Sequence, residues 1–194
     1  MNLLTSMGLL PLIGAGLIAL LPATNAKLVK QSALLVSVLV AALGITMTIG
    51  FDRGVTGFQY VERYSWIPSL GISYQLGIDG ISLILILLSV LLVPIVILAG
   101  WNESEGGRFS VKTFYILILV LETMMIGVFA ATDLFLFYVF FEAMLVPVYF
   151  LIGGYGSGAR QAAAVKFLLY SLFGGLLMLA SIIGIFVISG NQIG

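Results

Sequence analysis

Cysteine and histidine are both absent from this 194-residue chain, which removes the usual ligands for iron-sulfur clusters, zinc and most haems. No disulfide can form within it, and electrons are not expected to pass through it. Charge is scarce as well. Only 8% of residues are Asp, Glu, Lys or Arg, and eight basic residues against eight acidic ones give a formal net charge of zero. No basic surface advertises nucleic acid. Seven methionines remain as soft ligands, but they are scattered through apolar runs where gap-filling packing explains them. Neither a metal nor a cofactor is expected in this chain.

What the chain has in abundance is apolar sequence, 61% of all residues. A helix of about 20 apolar residues spans a hydrocarbon core of roughly 30 Å, and six segments reach that length: 3–21, 32–51, 81–101, 113–131, 133–152 and 162–189. The expected class is an all-α polytopic membrane protein with about six transmembrane helices, in a lipid bilayer and forming a single region over 1–194. The last segment is long enough to tilt. No positive charge precedes Lys27, so the first segment reads as a retained helix and not a secretory leader. The small residues Ala23 to Ala26 supply the alternative, a weak cleavage-like site.

Lys and Arg set the expected orientation. Lys27, Lys30, Arg108, Lys112 and Arg160 follow the first, third and fifth segments, and only Arg53 and Arg63 fall on the other side. The first set is expected to be cytoplasmic, which places both ends and the 52–80 connection outside. Along that connection Phe58, Tyr60, Glu62, Tyr64 and Trp66 alternate with other residues, then Pro68 and Gly71 follow. This pattern predicts a short hairpin or extended segment at the interface, with aromatics suited to an interfacial belt. Asp79 and Asp133 each stand at a helix start, as capping acids.

Three ionisable residues interrupt the apolar runs. Glu142 lies in the middle of the fifth segment, and an intramembrane acid is expensive enough to suggest work on ions or protons. The turn at Ala131, Thr132 and Asp133 makes the fourth and fifth helices an antiparallel hairpin. Glu122 and Glu142 each lie ten residues from Thr132, about 15 Å along the axis and near the midplane. Out of water a carboxylate favours its neutral form, and two close together resist double ionisation. The turn does not fix helix rotation, so depth alone leaves open whether they face each other. Lys166 is expected about 7 Å from Glu142 in depth, close enough for a charge partnership through long side chains or water.

The surroundings fit a polar seam without requiring one. Tyr138 and Tyr149 share the Glu142 stripe, while Ala163, Tyr170 and Gly174 share a face with Lys166. Pro147 should kink the fifth helix and free the Ala143 carbonyl. The structural alternatives are a static buried ion pair for Glu142, snorkelling to the surface for Lys166 and a locally paired acid for Glu122. Gly153, Gly154, Gly156 and Gly158 lack the strand and lysine of a phosphate loop and read as a flexible connection.

The stretch Phe141-Glu142-Ala143-Met144-Leu145-Val146-Pro147-Val148-Tyr149-Phe150-Leu151-Ile152 resembles the fifth helix of the antiporter-like subunits of NADH:quinone oxidoreductase, respiratory complex I. Its wording is closest to the M type, also called chain 4. Gly77 to Ser82, Ala131 to Phe137 and Ala163 to Tyr170 agree too, so the resemblance spans most of 77–175. It implies the N-terminal part of an antiporter-like helical bundle in the complex I membrane arm. There, proton translocation is coupled to NADH oxidation and quinone reduction in other subunits, which hold the NADH, FMN, iron-sulfur clusters and quinone. The implied partners are other membrane-arm subunits and protons, and the implied location is an energy-transducing membrane such as a bacterial plasma membrane. Glu142 occupies the motif of the family's proton-pathway acid. Lys166 enters as a possible charge partner and Glu122 as a possible second proton site.

The chain also departs from the pattern, because these subunits usually have about fourteen helices. A fragment or truncated product is therefore expected, one that would not translocate protons alone. Lys166 precedes the family's pathway lysines and is not equated with them. Multisubunit sodium/proton antiporters and membrane-bound hydrogenases contain related subunits and supply the alternative. A purely structural membrane-arm component is a third reading.

Overall fold

The structure, a computed structural model, describes residues 2–22, 25–102 and 107–190. Ala23 and Thr24 of the cleavage-like stretch lie outside the described residues. Six helices are long and apolar enough to cross a membrane. They are α1 (Leu3–Leu20), α2 (Ala26–Ile49), α3 (Gly80–Ala99), α4 (Val111–Ala130), α5 (Leu134–Tyr155) and α6 (Arg160–Gly190). Between α2 and α3 stands an antiparallel hairpin of β1 (Gln59–Ile67) and β2 (Ile72–Ile78).

Local chemistry sets the helix ends. Asn25 accepts the Leu28 amide at 3.1 Å and starts α2 six residues before the apolar run begins. Hydropathy missed that first turn because Lys27, Lys30 and Gln31 are polar, whereas helix geometry tolerates all three. Asp79 and Ser82 form a reciprocal capping box on α3, which satisfies two otherwise orphaned amides. Asp133 caps α5 through the amides of Phe135 and Leu136, at 2.9 and 3.0 Å. Another correction concerns the glycine-rich stretch. Gly153 and Gly154 lie inside α5 and not in a flexible connection, since the helix runs on to Tyr155.

The hairpin closes one end of the bundle. Its turn carries Gly71 at φ 68°, a left-handed conformation natural for glycine. Glu62 reaches the start of α1 and accepts the Leu4 amide at 2.9 Å and the Thr5 amide at 3.2 Å. The pairing shifts between Gln59 and Glu62, and within this irregularity Tyr60 sits at φ 53°. Its hydroxyl donates to the Met47 carbonyl near the end of α2. Thr132 and Asp133 tie the α4–α5 turn to β2 through Gln75 O and Ser73 N. One small sheet thus fixes five helix ends: the starts of α1, α3 and α5 and the ends of α2 and α4.

Two apolar clusters fill the space among α1 to α4. The first gathers Leu4, Met7, Val40, Met47, Ile78 and Ile86 near the hairpin. The second gathers Ile18, Val29, Ile97, Tyr115 and Leu119 toward the opposite end. At that opposite end the Lys112 ammonium donates to the carbonyls of Ala19 and Leu21, at 2.9 and 3.1 Å, satisfying the C-terminus of α1 and meeting its negative dipole end. α5 packs on α4, and α6 packs on α5. Most of the α6 surface is exposed, including Leu169, Phe173, Leu176 and Leu177.

Candidate functional site

The α4–α5 register is set where Phe140 lies over Gly127, whose absent Cβ would stand 2.5 Å from the ring. That contact makes Glu142 level with Met125 and Glu122 level with Leu145. The two acids are offset by three residues, about 4.5 Å along the axis. Their directions differ more than their depths. Glu122 is one turn from Ile126, which meets Gly8 of α1, and it is wholly buried. Glu142 instead points toward α6. Symmetry about the turn had suggested two carboxylates at one level, but the structure sends them to different interfaces.

Glu142 meets α6 at Gly175. A Cβ added to this glycine would overlap the Glu142 Oε1 outright and come within 2.7 Å of Cδ. Glu142 Oε1 is buried with no hydrogen-bond partner among the described residues, and the same holds for both Glu122 oxygens and the Tyr115 hydroxyl. Pro147 lies inside α5, and its missing N–H leaves the Ala143 carbonyl, beside Glu142, without its intrahelical donor.

Lys166 is not brought to Glu142. The contacts of Glu142 with Gly175 and of Gly153 with Ala164 fix an antiparallel α5–α6 register in which Lys166 stands level with Leu151. Nine residues separate it from Gly175, about 13.5 Å along the helix and half a turn around it. The expected 7 Å gap fails because α5 continues three residues past 152 and α6 begins two before 162. Ala163, Tyr170 and Gly174 share the outward face with Lys166, and all four are exposed. Gly175 was the residue that sequence reasoning passed over, although its neighbour Gly174 was noted. The signal was there in the register of two helices joined by a short loop.

A cleft of about 310 Å³ opens between α5 and α6 at the end away from the hairpin, lined by Arg108, Tyr149, Gly153, Gln161 and Ala164 among others. Tyr149 belongs to the same stripe as Glu142, two turns or about 10.5 Å along α5. The cleft therefore lies in line with the carboxylate.

These features define a class: a polytopic helical membrane protein whose mid-helix acids lie at helix–helix interfaces, with buried carboxylate oxygens that have no hydrogen-bond partner among the described residues. Residues 7–128 match the family described as NADH-ubiquinone oxidoreductase chain 4, amino terminus, and residues 131–193 match NADH:quinone oxidoreductase/Mrp antiporter, TM. The chain belongs to the chain 4 family. It is 44% identical over 215 aligned residues to NADH-quinone oxidoreductase subunit M of Mycobacterium tuberculosis, covering 97% of this chain and 39% of that protein. F(420)H(2) dehydrogenase subunit M of Methanosarcina mazei is 41% identical over 156 residues, covering 79% and 31%. A chain of respiratory complex I from Thermus thermophilus with bound NADH shares the fold with a TM-score of 0.81 and 31% identity, covering 98% of this chain and 37% of its own length. The chain thus spans about two fifths of the length of the first curated relative.

Proposed function

We propose that this chain forms the N-terminal part of the M (chain 4) membrane-arm subunit of a proton-translocating NADH:quinone oxidoreductase, in which Glu142 carries the transferred proton. NADH oxidation and quinone reduction belong to other subunits, with their FMN and iron-sulfur clusters. The observation that carries the reading is the Glu142 carboxylate. It is held in mid-helix between α5 and α6, with Oε1 unpartnered among the described residues, inside the segment matched by the antiporter family.

The cleft at Tyr149 and Gln161 is the proposed route of proton access, ending about two helical turns from the acid. The opened Ala143 carbonyl gives an ordered water one acceptor beside it. Lys27, Arg108, Lys112 and Arg160 cluster at the cleft end of the bundle, which supports a cytoplasmic placement for that end and an extracytoplasmic one for the 52–80 connection. Glu122 serves as a second proton site on the α1 side of α4. Lys166, exposed on the outward face of α6, lies level with Leu151 and does not serve as the charge partner of Glu142.

The deciding experiment is Glu142→Gln in the complete, assembled enzyme. Proton pumping driven by quinone reduction should fall at least tenfold while the complex still assembles. Normal pumping in that variant would refute the assignment. The match to the Mrp antiporter description over 131–193 favours a second reading, a sodium/proton antiporter subunit. Sodium-dependent proton exchange in vesicles lacking the NADH-oxidising subunits would select it.

A further inference from the structure

We propose that Gly175 is a positioning residue for the Glu142 carboxylate, an inference that rests on Glu142 being the proton carrier. Most helical glycines cost stability relative to alanine, so one in the middle of a long helix calls for a reason. Two adjacent glycines on α6 separate the possible reasons. A Cβ at Gly174 would meet nothing within 4 Å, whereas one at Gly175 would occupy the space of Glu142 Oε1. Glycine at 175 is therefore required by the carboxylate and not by helix–helix contact in general. Its backbone forms the floor of a notch, and the acid lies in that notch with Oε1 shielded from solvent.

The consequence for function is geometric. Proton transfer between an acid and its neighbours depends on heavy-atom separations of about 2.6–3.2 Å, so a carboxylate displaced by the thickness of a methyl group leaves its donors and acceptors out of reach. Gly175 does not touch the proton. It fixes where the proton is held, on the α6 side of α5 and in line with the cleft.

Shortening the acid provides the test. An aspartate at 142 withdraws the carboxylate by one methylene, leaving room for a Cβ at 175. In the assembled enzyme, Gly175→Ala should reduce proton pumping at least fivefold when residue 142 is unchanged. Because Glu142→Asp withdraws the carboxylate and lowers pumping on its own, the comparison in that background is read from carbodiimide labelling of residue 142, where Gly175→Ala should cost less than twofold. Assembly of Gly175→Ala only in that background would also support the inference. Equal losses in the two backgrounds, or no loss in either, would overturn it. The rate at which a hydrophobic carbodiimide modifies Glu142 in membranes provides a readout independent of pumping. Gly175→Ala should change that rate at least threefold, and an unchanged rate would count against positioning. Should Glu142→Gln pump normally, the carrier reading falls while the labelling result still decides the role of Gly175.

Discussion

Glu62 on β1 accepts the Leu4 amide at 2.9 Å, so a strand residue supplies the N-terminal cap of α1. The Thr5 hydroxyl also donates to this carboxylate and lies 3.0 Å from the Tyr74 hydroxyl. Two backbone donors of the helix start are thus satisfied from 57 and 58 residues away. Burial pushes the Tyr74 hydroxyl above its ordinary value, partly offset by its hydrogen bond with Thr5. Glu62→Ala would leave the amides of Leu4 and Thr5 enclosed without acceptors, at a cost of about 2–3 kcal/mol. Hydrogen exchange should register this as loss of protection confined to the first turn of α1. Glu62→Gln, which keeps an acceptor, should lose less.

The Asp79 cap gives a pH dependence whose sign can be worked out. The Ser82 amide at 2.8 Å, then the Ser82 hydroxyl, hold the Asp79 carboxyl below the usual carboxylate range. A folded value below the unfolded one means the stabilisation is complete above the unfolded value, about pH 3.9, and is lost as pH falls through the folded value. Amide protection at Ile81 and Ser82 should therefore decline on acidification below about pH 4. Asp79→Asn should make that protection independent of pH, and equal protection at pH 3 and pH 6 in the unaltered chain would contradict the argument.

Gly127 of α4 admits the Phe140 ring of α5. A Cβ there would stand 2.5 Å from Phe140 Cδ1 and 2.6 Å from Cγ, at the root of the ring and not its tip. Gly127→Ala should cost about 1–3 kcal/mol by overpacking. It should cost less in a Phe140→Ala background, which removes the overlapping Cγ and Cδ1, as measured by thermal unfolding in lipid nanodiscs.

Lys166 faces away from Glu142, so neutralising it should leave the acid's surroundings intact. Lys166→Gln is expected to change carbodiimide labelling of Glu142 by less than a factor of two. A larger change would reveal an ion pair bridging the 13.5 Å axial separation.

Glu122 is fully buried, with neither oxygen hydrogen-bonded among the described residues. Glu122→Gln keeps the shape and removes the charge site, so thermal stability should hold or rise. If Glu122 is a second proton site, pumping should fall in the same variant without loss of assembly. A fall in stability of 3 kcal/mol or more would mark it as a paired structural acid instead.

The number and type of the transmembrane helices were legible because an apolar run of about 20 residues has few other uses. The hairpin was legible from alternation across Phe58 to Trp66, and the caps at Asp79 and Asp133 from acids placed just before apolar runs. Helix rotation was not legible. Along Glu142's own helix, hydropathy is apolar on every face, so nothing in the sequence shows which way the carboxylate points. Lys166 was misplaced for a related reason, since a few residues' error at two helix ends nearly doubled an axial distance. Gly175 was passed over because a glycine's function lies in the neighbour it admits, and finding that neighbour needs the helix register as well as the residue. Glu62 looked like one polar residue in an aromatic strand, and only the folded topology carries it to α1.

The two family matches meet at the α4–α5 turn, a few residues at Ala131 to Asp133. The match to the chain 4 amino terminus ends at 128, and the match described for both NADH:quinone oxidoreductase and Mrp antiporter begins at 131. Glu122 stands in the first and Glu142, with Gly175, in the second, where α6 packs on α5. The acid and its notch therefore lie together on the C-terminal side of that one turn. A chimera joined there would carry the acid and its notch together, provided Leu136 of α5 docks again on the first apolar cluster.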